Sequence, residues 1–242
     1  MLYTSIQNTK IKDIKKLNQK KYREEAKLFL VEGQHLVEEA LKSGYLKNAI
    51  IEEGYTFDVD KDNIYVNDKV MNYISDLEHN QHIMGICNML EFNGEYGNKV
   101  LILDNLQDPG NLGTIIRSAV AFSFDTIILS KDTVDLYNSK VVRATQGLIF
   151  NINFVICDIK DKIIDLKKQG YQIIGTKVDN GVDIKNLIHE EKVALIMGNE
   201  GAGVSSEVLD MCDSYAHIKM SEKCESLNVG VATSIMLYEL SK

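Results

Sequence analysis

The sequence predicts an α/β protein with two domains, and three observations lead to this class. Short apolar segments typical of buried strands alternate with segments of helical period along nearly the whole chain. The alternation stops once, at residues 91–98, where two glycines and two asparagines indicate a linker. The length of 242 residues is sufficient for two small domains on either side of that linker.

Composition limits the classes of function. The hydrophobic content of 45% and the charged content of 26% are those of a globular protein, and no apolar run approaches the roughly 18 residues that span a membrane. The first residues lack the basic-then-apolar pattern of a signal peptide, so we expect a cytoplasmic protein. The four cysteines stand far apart, and His79 and His82 are the only close histidine pair. We therefore expect neither disulfides nor a metal site.

The charge is unevenly distributed along the chain. A net charge of −8 argues against a nucleic-acid partner. Residues 1–27, however, hold eight lysines and arginines against three acidic residues, an excess of five positive charges, so the remainder carries −13. Because salt screens each charge beyond about 10 Å, a local basic patch can still collect phosphate groups. The alternative is a solvated helix face, and charge alone does not choose between the two.

Residues 1–90 predict a small α/β domain. In the lysine-rich residues 1–21, Ile11, Ile14 and Leu17 follow at a spacing of three, which indicates one helix with an apolar side. The strands expected after it are residues 28–31, 48–51, 64–66 and 83–87, and the helices are residues 35–42 and 68–74. Strand and helix therefore alternate, as they do in a sheet covered by helices.

Residues 99–242 restart the alternation and predict a parallel sheet. The expected strands are residues 99–103, 126–129, 154–156, 171–174, 193–197 and 216–218, and the expected helices are residues 111–122, 138–147, 160–169 and 205–212, followed by a last helix near the C-terminus. Continuously apolar strands are typical of parallel sheets that helices cover on both faces. Ligands of such sheets bind at the carboxyl ends of the strands. Three unusual loops, residues 104–111, 198–203 and 219–228, follow strands at that edge, which predicts one site.

The first of these loops combines a tight turn with two polar side chains. Pro109 and Gly110 set the turn, and Asn111 is expected to cap the helix that follows. Arg117 lies less than two turns further along this helix, so both polar side chains can reach the same opening. The alternative is a turn, a cap and a surface arginine without a shared role.

The second loop, residues 198–203, is rich in glycine and resembles a phosphate-binding loop only weakly. It lacks the Gly-Lys-Ser/Thr of a P-loop, and the carboxylate of Glu200 would repel a phosphate. Backbone amides and carbonyls with one carboxylate suit a neutral or cationic ligand better, such as an adenine ring with a sulfonium centre.

The third loop ends in polar residues where the last helix begins. Glu225, Ser226 and Asn228 place a carboxylate, a hydroxyl and an amide within four residues. Ser226 or Asn228 is the expected N-cap, because a short side-chain oxygen accepts from the free amides of a first helical turn. A cap with no further role is the alternative.

Together these stretches resemble the motifs of the SpoU-type (TrmH-like) RNA 2′-O-ribose methyltransferases of the SPOUT superfamily. The matching segments are residues 104–117 (DNLQDPGNLGTIIR), 134–143 (VDLYNSKVVR), 197–205 (MGNEGAGVS) and 218–239, the last centred on the ESLN of residues 225–228. Residues 1–90, with FLVEG at residues 29–33 before a helix, are similar to the substrate-binding domain of many members, which resembles a small ribosomal protein.

The resemblance implies a fold and a cofactor that spacing could not show. In the family the C-terminal segment forms a deep trefoil knot, S-adenosylmethionine lies bent within it, and the chain is a homodimer with the site near the subunit interface. Carried over to this sequence, Gly198, Ile218 and Leu227 would bind the cofactor, largely through backbone groups. Their expected neighbours are Met197, Met220 and Thr176.

The resemblance also implies a polar catalytic set, which consists of Asn111, Arg117, Glu200, Ser226 and Asn228. Because an arginine does not deprotonate in practice, Arg117 is expected to clamp a phosphate and stabilise the alkoxide that forms. Asn111 and Ser226 would orient Arg117 or the ribose, and Glu200 would hold Arg117 or the cofactor loop. The candidate RNA contacts are Lys15, Lys20, Lys140 and Arg143.

The third motif departs from the family pattern at three positions. Lys219 stands where proline is usual, Glu222 where glycine is usual, and Gly230 where serine is common. The first two could alter the path of the cofactor loop. The ESLN core is intact, so the departures do not indicate loss of activity.

The sequence therefore predicts an enzyme that transfers a methyl group from S-adenosylmethionine to a ribose 2′-hydroxyl of RNA, without a metal or a membrane partner. The additional first domain favours ribosomal RNA over transfer RNA. One alternative is a transfer-RNA methyltransferase, and another is a catalytically inert RNA-binding protein that retains the fold. An oxidoreductase would need a dinucleotide fingerprint in an early βαβ unit, which the sequence lacks.

Overall fold

A computed structural model describes residues 1–59, 62–178 and 181–242. Up to residue 90 its elements are β1 (Leu2–Tyr3), α1 (Thr9–Lys16), α2 (Lys20–Ala26), β2 (Leu28–Glu32), α3 (Gln34–Lys42), β3 (Leu46–Glu52), β4 (Ile64–Val66), α4 (Asp68–Ile74) and β5 (Ile83–Asn88). The elements that follow are β6 (Lys99–Leu103), α5 (Pro109–Ala121), β7 (Thr126–Ser130), α6 (Ser139–Ala144), β8 (Asn153–Cys157), α7 (Ile159–Lys168), β9 (Gln172–Thr176), β10 (Val182–Asp183), β11 (Val193–Met197), α8 (Ser206–Leu209), β12 (Ser214–His217) and α9 (Val229–Leu240). None of the described helices is long and apolar enough to cross a membrane.

The described residues form two compact units. The first unit is Met1–Leu90 together with Asp135–Asn151, and the second is Glu91–Val134 together with Ile152–Lys242. The second unit begins at Glu91, where the sequence predicts the linker. The prediction of one continuous second domain over residues 99–242 differs from this division, because residues 135–151 group with the first unit.

Aromatic packing and an ion pair account for the place of residues 135–151. The ring of Phe29 on β2 lies 4.8 Å from the ring of Tyr137 and 6.1 Å from that of Phe150. The guanidinium of Arg23 forms an ion pair with Asp135, and both side chains are largely removed from water, with 7% and 19% exposed. Buried aromatic area of this kind dominates the energetics of a core, so this segment belongs with β2.

The sheet of the first unit is mixed. Its five strands follow the order β1-β4-β3-β5-β2, and β5 runs antiparallel to both of its neighbours. The prediction of one helix over residues 1–21 is wrong, because the structure has α1 and α2 instead. A hydrogen bond to α4 stabilises the turn between them, because the Asn18 side chain donates to the carbonyl of Ile74 at 2.9 Å. The apolar side of α1 is as predicted, with Ile11 and Ile14 buried.

The second unit contains the predicted parallel sheet. Its seven described strands follow the order β10-β12-β9-β11-β6-β7-β8, and every adjacent pair is parallel. The central strands β6 and β11 are apolar along nearly their whole length and buried, as expected of a sheet covered on both faces. The predicted α/β class is confirmed. The trefoil knot stays a prediction.

Candidate active site

A cavity of about 420 Å³ lies at the carboxyl ends of β9, β11 and β12 in the second unit. This volume is within the range of small-molecule sites. Its walls include all six side chains or backbone positions predicted to bind the cofactor, which are Thr176, Met197, Gly198, Ile218, Met220 and Leu227. The first turns of α9 close the cavity with Val229, Ala232 and Met236.

The loop after β11 forms a tight turn that leaves backbone groups at the cavity wall. The amide of Asn199 donates to the carbonyl of Gly203 at 2.9 Å, and the amide of Gly203 donates back at 3.0 Å. The side-chain oxygen of Asn199 accepts from the amides of Gly201 and Ala202 at 2.9 and 3.1 Å. A Cβ at Gly198 would lie 2.0 Å from the carbonyl carbon of Gly203, so only glycine fits where the two ends of the turn cross.

Glu200 ties this turn to the loop after β6. Its carboxylate accepts from the amides of Asp108 at 2.8 Å and Gln107 at 3.2 Å, and from the side-chain amide of Asn111 at 3.2 Å. Among the described residues Glu200 makes no ion pair with Arg117. Of the two predicted roles for Glu200, a contact with Arg117 or support of the cofactor loop, the hydrogen bonds favour the second, because N–H groups of the neighbouring loop already satisfy the carboxylate.

These donors also set the acidity of Glu200. Partial burial opposes ionisation, but the N–H groups of Asp108, Glu200 itself and Gln107, together with the Asn111 amide, lower the pKa of the Glu200 carboxyl below its usual value. Glu200 is therefore ionised at neutral pH and places a negative charge at the rim of the cavity.

The lowered pKa predicts a pH dependence for the variant Glu200→Gln. A carboxyl with a depressed pKa in the folded state stabilises the protein fully above the ordinary pKa of 4.5, and loses that contribution as the pH falls through the lower folded value. We expect Glu200→Gln to be less stable than the native protein at neutral pH, with the difference shrinking in acid. Urea unfolding of both proteins from neutral pH to pH about 3 measures this. A difference that stays constant over that range would contradict the assignment.

A chain of hydrogen bonds links the starts of α5 and α9. Asn228 is the N-cap of α9, as predicted, and its side-chain oxygen accepts from the amides of Gly230 and Val231 at 2.9 and 3.3 Å. Its side-chain nitrogen donates to the oxygen of Asn111 at 2.9 Å, and Asn111 in turn donates to Glu200. Three of the five predicted catalytic residues are thus joined.

Asn111 makes these contacts because it does not cap α5. The helix begins at Pro109, and the side chain of Asp108 accepts from the amide of Asn111 at 2.7 Å. The prediction of Asn111 as the N-cap is therefore wrong. Since Asp108 satisfies the first turn, the Asn111 side chain is left to bridge Asn228 and Glu200.

The two remaining catalytic candidates lie apart from this chain. Ser226 lines the cavity, and its backbone carbonyl accepts from the thiol of Cys224 at 3.2 Å. Arg117 is exposed on α5 and does not line the cavity, and its side chain has no hydrogen bond or ion pair to any other residue that the structure describes. Within one subunit, four of the five residues therefore lie at or beside the cavity, three of them joined by hydrogen bonds, and Arg117 does not.

Two further contacts, which the sequence did not predict, fix the two loops against each other. Asp104 accepts from the amide and the hydroxyl of Ser205 at 2.9 and 2.7 Å, and Asn199 donates to the carbonyl of Asn105 at 2.9 Å. Asn105 has a left-handed backbone with φ of 59°, which asparagine tolerates better than most residues. The sequence did hold a signal for a role of Asp104, because a carboxylate directly after a buried strand needs hydrogen-bond donors.

The candidate RNA contacts all lie in the first unit. Lys20 and Lys140 are exposed, whereas Lys15 and Arg143 are half-buried. The Nη1 atom of Arg143 is buried without a hydrogen-bond partner in the described part of the chain.

Comparison with known proteins agrees with this architecture. The SpoU rRNA Methylase family matches residues 98–238, and the MRM3-like substrate binding domain matches residues 8–85. A Bacillus subtilis protein, 23S rRNA (guanosine(2553)-2′-O)-methyltransferase RlmP, is 38% identical over 241 residues, which cover 98% of this chain and 97% of that one. The chain belongs to the SpoU rRNA methylase family.

Solved structures of the family share the whole fold. The crystal structure of an rRNA methyltransferase from Sinorhizobium meliloti has a TM-score of 0.88 and 33% identity, and the match covers 99% of this chain and 96% of that one. A crystal structure of an AdoMet-bound rRNA methyltransferase from the same organism gives a TM-score of 0.87 with the same identity and coverage.

The departures from the family pattern do not disturb the cavity. Lys219 and Glu222 are exposed, and Ile218 and Met220 on either side of Lys219 still line the wall. A Cβ at Gly230 would lie 3.2 Å from the Asn228 oxygen and 3.4 Å from Thr114 on α5. Glycine therefore allows α9 to approach α5 closely at the point where Asn228 meets Asn111.

Proposed function

We propose that this SpoU family member transfers a methyl group from S-adenosylmethionine to a ribose 2′-hydroxyl of ribosomal RNA. The observation that carries this proposal is the cavity with the Glu200–Asn111–Asn228 chain at its edge. This protein matches, over 98% of its length, a relative named as a 23S rRNA 2′-O-methyltransferase, and it has this cavity and these hydrogen bonds. The AdoMet-bound structure from Sinorhizobium meliloti supports the same cofactor here.

The cavity fits this cofactor in shape and charge. Three methionines, Met197, Met220 and Met236, form flexible apolar walls that suit an adenine ring. Besides the side chains of Asn199 and Glu200, the turn at Gly198 offers backbone groups, which can hydrogen-bond to an uncharged base. S-adenosylmethionine carries its methyl group on a positively charged sulfonium, and the ionised Glu200 adds a favourable negative charge nearby.

The mechanism follows from the residues around the opening. A ribose hydroxyl is a poor nucleophile at neutral pH, so its attack needs stabilisation of the developing alkoxide. Arg117 would supply that charge and clamp an adjacent phosphate through its fork of N–H donors. Ser226, which lines the cavity, would orient the ribose, and Asn228 would hold the start of α9 through its bond to Asn111. The fixed hydrogen bonds of Asn111 and Glu200 keep these groups in place, and such positioning supplies much of the rate.

The exposed position of Arg117 supports a homodimer as the active form. The outer side of α9 carries two large apolar side chains, Val231 and Tyr238, which are each 48% exposed. The ring of Tyr238 packs on Phe122, at the end of α5, with 5.5 Å between centroids. A second copy that covers this face would remove the apolar surface from water. The family resemblance likewise implies a homodimer with the site near the subunit interface, and Arg117 lies on α5, which packs against α9.

The first unit would hold the RNA. Lys15, Lys20, Lys140 and Arg143 are the proposed phosphate contacts, and the match to an MRM3-like substrate binding domain supports this role. The relative named as a 23S rRNA methyltransferase, which matches over both units, favours ribosomal RNA over transfer RNA. A ribosomal substrate supports the expected cytoplasmic location.

The test is transfer of labelled methyl groups to total RNA from a strain that lacks this protein. We expect label in the ribosomal fraction after it is separated from transfer RNA. Label confined to transfer RNA would favour the alternative substrate. Retention of RNA without label in any fraction, and without S-adenosylmethionine binding by calorimetry, would favour the inert RNA-binding alternative.

A further inference from the structure

Lysines of α1 and α2 lie over the rings of three tyrosines, which belong to α2, β1 and α4. We propose that this surface binds unpaired nucleotides of the RNA substrate, with tyrosine rings stacking on bases and the adjacent lysines pairing with phosphates. The surface is defined by Tyr3, Tyr22 and Tyr73 with Lys10, Lys15, Lys16 and Lys21. The proposal rests on the proposed function, because it requires that the substrate is RNA.

The geometry is most complete at Tyr22. The ammonium groups of Lys16 on α1 and Lys21 on α2 each lie 5.7 Å from the centroid of the Tyr22 ring. Two positive charges from different helices therefore converge on one partly exposed ring. An RNA strand presents a phosphate and a base at each nucleotide, and this arrangement offers a partner for both.

The same pairing recurs on the flanks of α1. The ammonium of Lys10 lies 5.4 Å from the ring centroid of Tyr3 on β1, and that of Lys15 lies 5.7 Å from Tyr73 on α4. Tyr3 and Tyr73 border the apolar side of α1 without being buried beneath it. The lysine–tyrosine pairs therefore continue around α1. Successive pairs would bind successive nucleotides of one RNA strand.

The ion pairs within these helices leave positive charge available. Lys20–Glu24 and Lys21–Glu25 are separated by 3.9 and 4.0 Å between exposed groups, so each contributes little. Only the pair of Lys16 with Asp13, at 2.8 Å, is close. Arg23 is buried in its ion pair with Asp135, so it is not available to RNA. The seven lysines of residues 1–27 still exceed the three acidic residues of this segment by four, which favours the attraction of a polyanion to it.

The flat rings distinguish unpaired RNA from a duplex. In a duplex both faces of each base are covered by its neighbours, whereas an unpaired base can stack on an aromatic side chain. Lysines alone would attract either form equally well through phosphates. If the lysines packed on the tyrosines only to stabilise the fold, the affinity for RNA would not depend on whether its bases are free to stack.

The experiment measures binding of the full-length protein to a single-stranded RNA and to a duplex of the same length. The native protein is compared with Tyr22→Leu, Tyr22→Phe and the control Tyr65→Leu. Tyr65 is 41% exposed on β4 of the same unit, and no lysine lies over its ring in the described ranges. Thermal unfolding of each variant shows whether it remains folded. Tyr22→Phe keeps the aromatic ring and removes only the hydroxyl group.

We expect tighter binding of the single strand than of the duplex, a roughly tenfold loss for Tyr22→Leu, and native affinity for Tyr22→Phe and Tyr65→Leu. The salt dependence of the RNA affinity should be the same for Tyr22→Leu and the native protein, because the substitution removes no phosphate contact. Equal binding of both RNA forms, or native single-strand affinity in folded Tyr22→Leu, would overturn the proposal. Methyl transfer by the native protein, assayed in parallel, keeps failure here separate from failure of the proposed function.

Discussion

Replacing Gly198 with alanine should lower the affinity for S-adenosylmethionine by at least about a hundredfold. The added Cβ would lie 2.0 Å from the carbonyl carbon of Gly203 and 2.1 Å from the amide nitrogen of Val204. Both atoms belong to the backbone, so no flexible side chain can move aside. The turn must open, which breaks the hydrogen bonds between Asn199 and Gly203 and displaces Glu200. Calorimetric titration with S-adenosylmethionine measures the loss.

Gly201→Ala is the matched control in the same turn. A Cβ at this position meets only the side-chain oxygen of Asn199 at 3.7 Å, which is an ordinary contact distance. We expect this variant to bind within about twofold of the native affinity. Equal losses in both variants would mean that the whole turn is merely sensitive to substitution, and native binding by Gly198→Ala would place the cofactor elsewhere.

Replacing Arg117 with alanine should reduce kcat for methyl transfer by about 10²–10³-fold and leave cofactor affinity unchanged. Arg117 does not line the cavity, so its removal takes away no contact with the cofactor. It is proposed to act only on the phosphate and on the alkoxide of the reacting nucleotide. Single-turnover kinetics with saturating cofactor separates the two effects. Near-native turnover would remove Arg117 from the catalytic set.

Two further variants define how Arg117 acts. Arg117→Lys retains the charge but loses the planar fork of donors, so it should recover only part of the rate. If Arg117 serves the cavity of a second copy, a mixture of Arg117→Ala with an inactive Ser226→Ala variant should regain activity, because some mixed dimers contain one intact site. No recovery on mixing would place Arg117 and Ser226 in the same subunit's site.

Strand order was sufficient to predict one site at the carboxyl edge of the second sheet, because the carboxyl ends of parallel strands meet at one edge. The choice of Gly198, Ile218 and Leu227 within that edge came from the family resemblance, and all three line the cavity. The N-cap of α9 at Asn228 also follows from a local rule. The cap of α5 was missed although a rule was available: a proline at the first helical position makes the preceding residue, Asp108, the cap.

The remaining open or wrong predictions concern contacts between distant parts of the chain. Whether Glu200 pairs with Arg117 or with the amides of Gln107 and Asp108 depends on how two loops approach each other, which residue type does not reveal. The break between α1 and α2 depends on Asn18 reaching Ile74. Apolar periodicity in residues 135–151 shows that the segment is buried, but it does not identify the core it joins.

Analysis of the methylated nucleoside tests the central claim most directly. RNA labelled by the enzyme is digested to nucleosides, and the position of the methyl group is determined by chromatography and mass spectrometry. The proposed function predicts a single 2′-O-methylated nucleoside from the large ribosomal RNA, at a linkage that resists alkaline cleavage because its 2′-hydroxyl is blocked. Label on a base, at a linkage that alkali still cleaves, would contradict it.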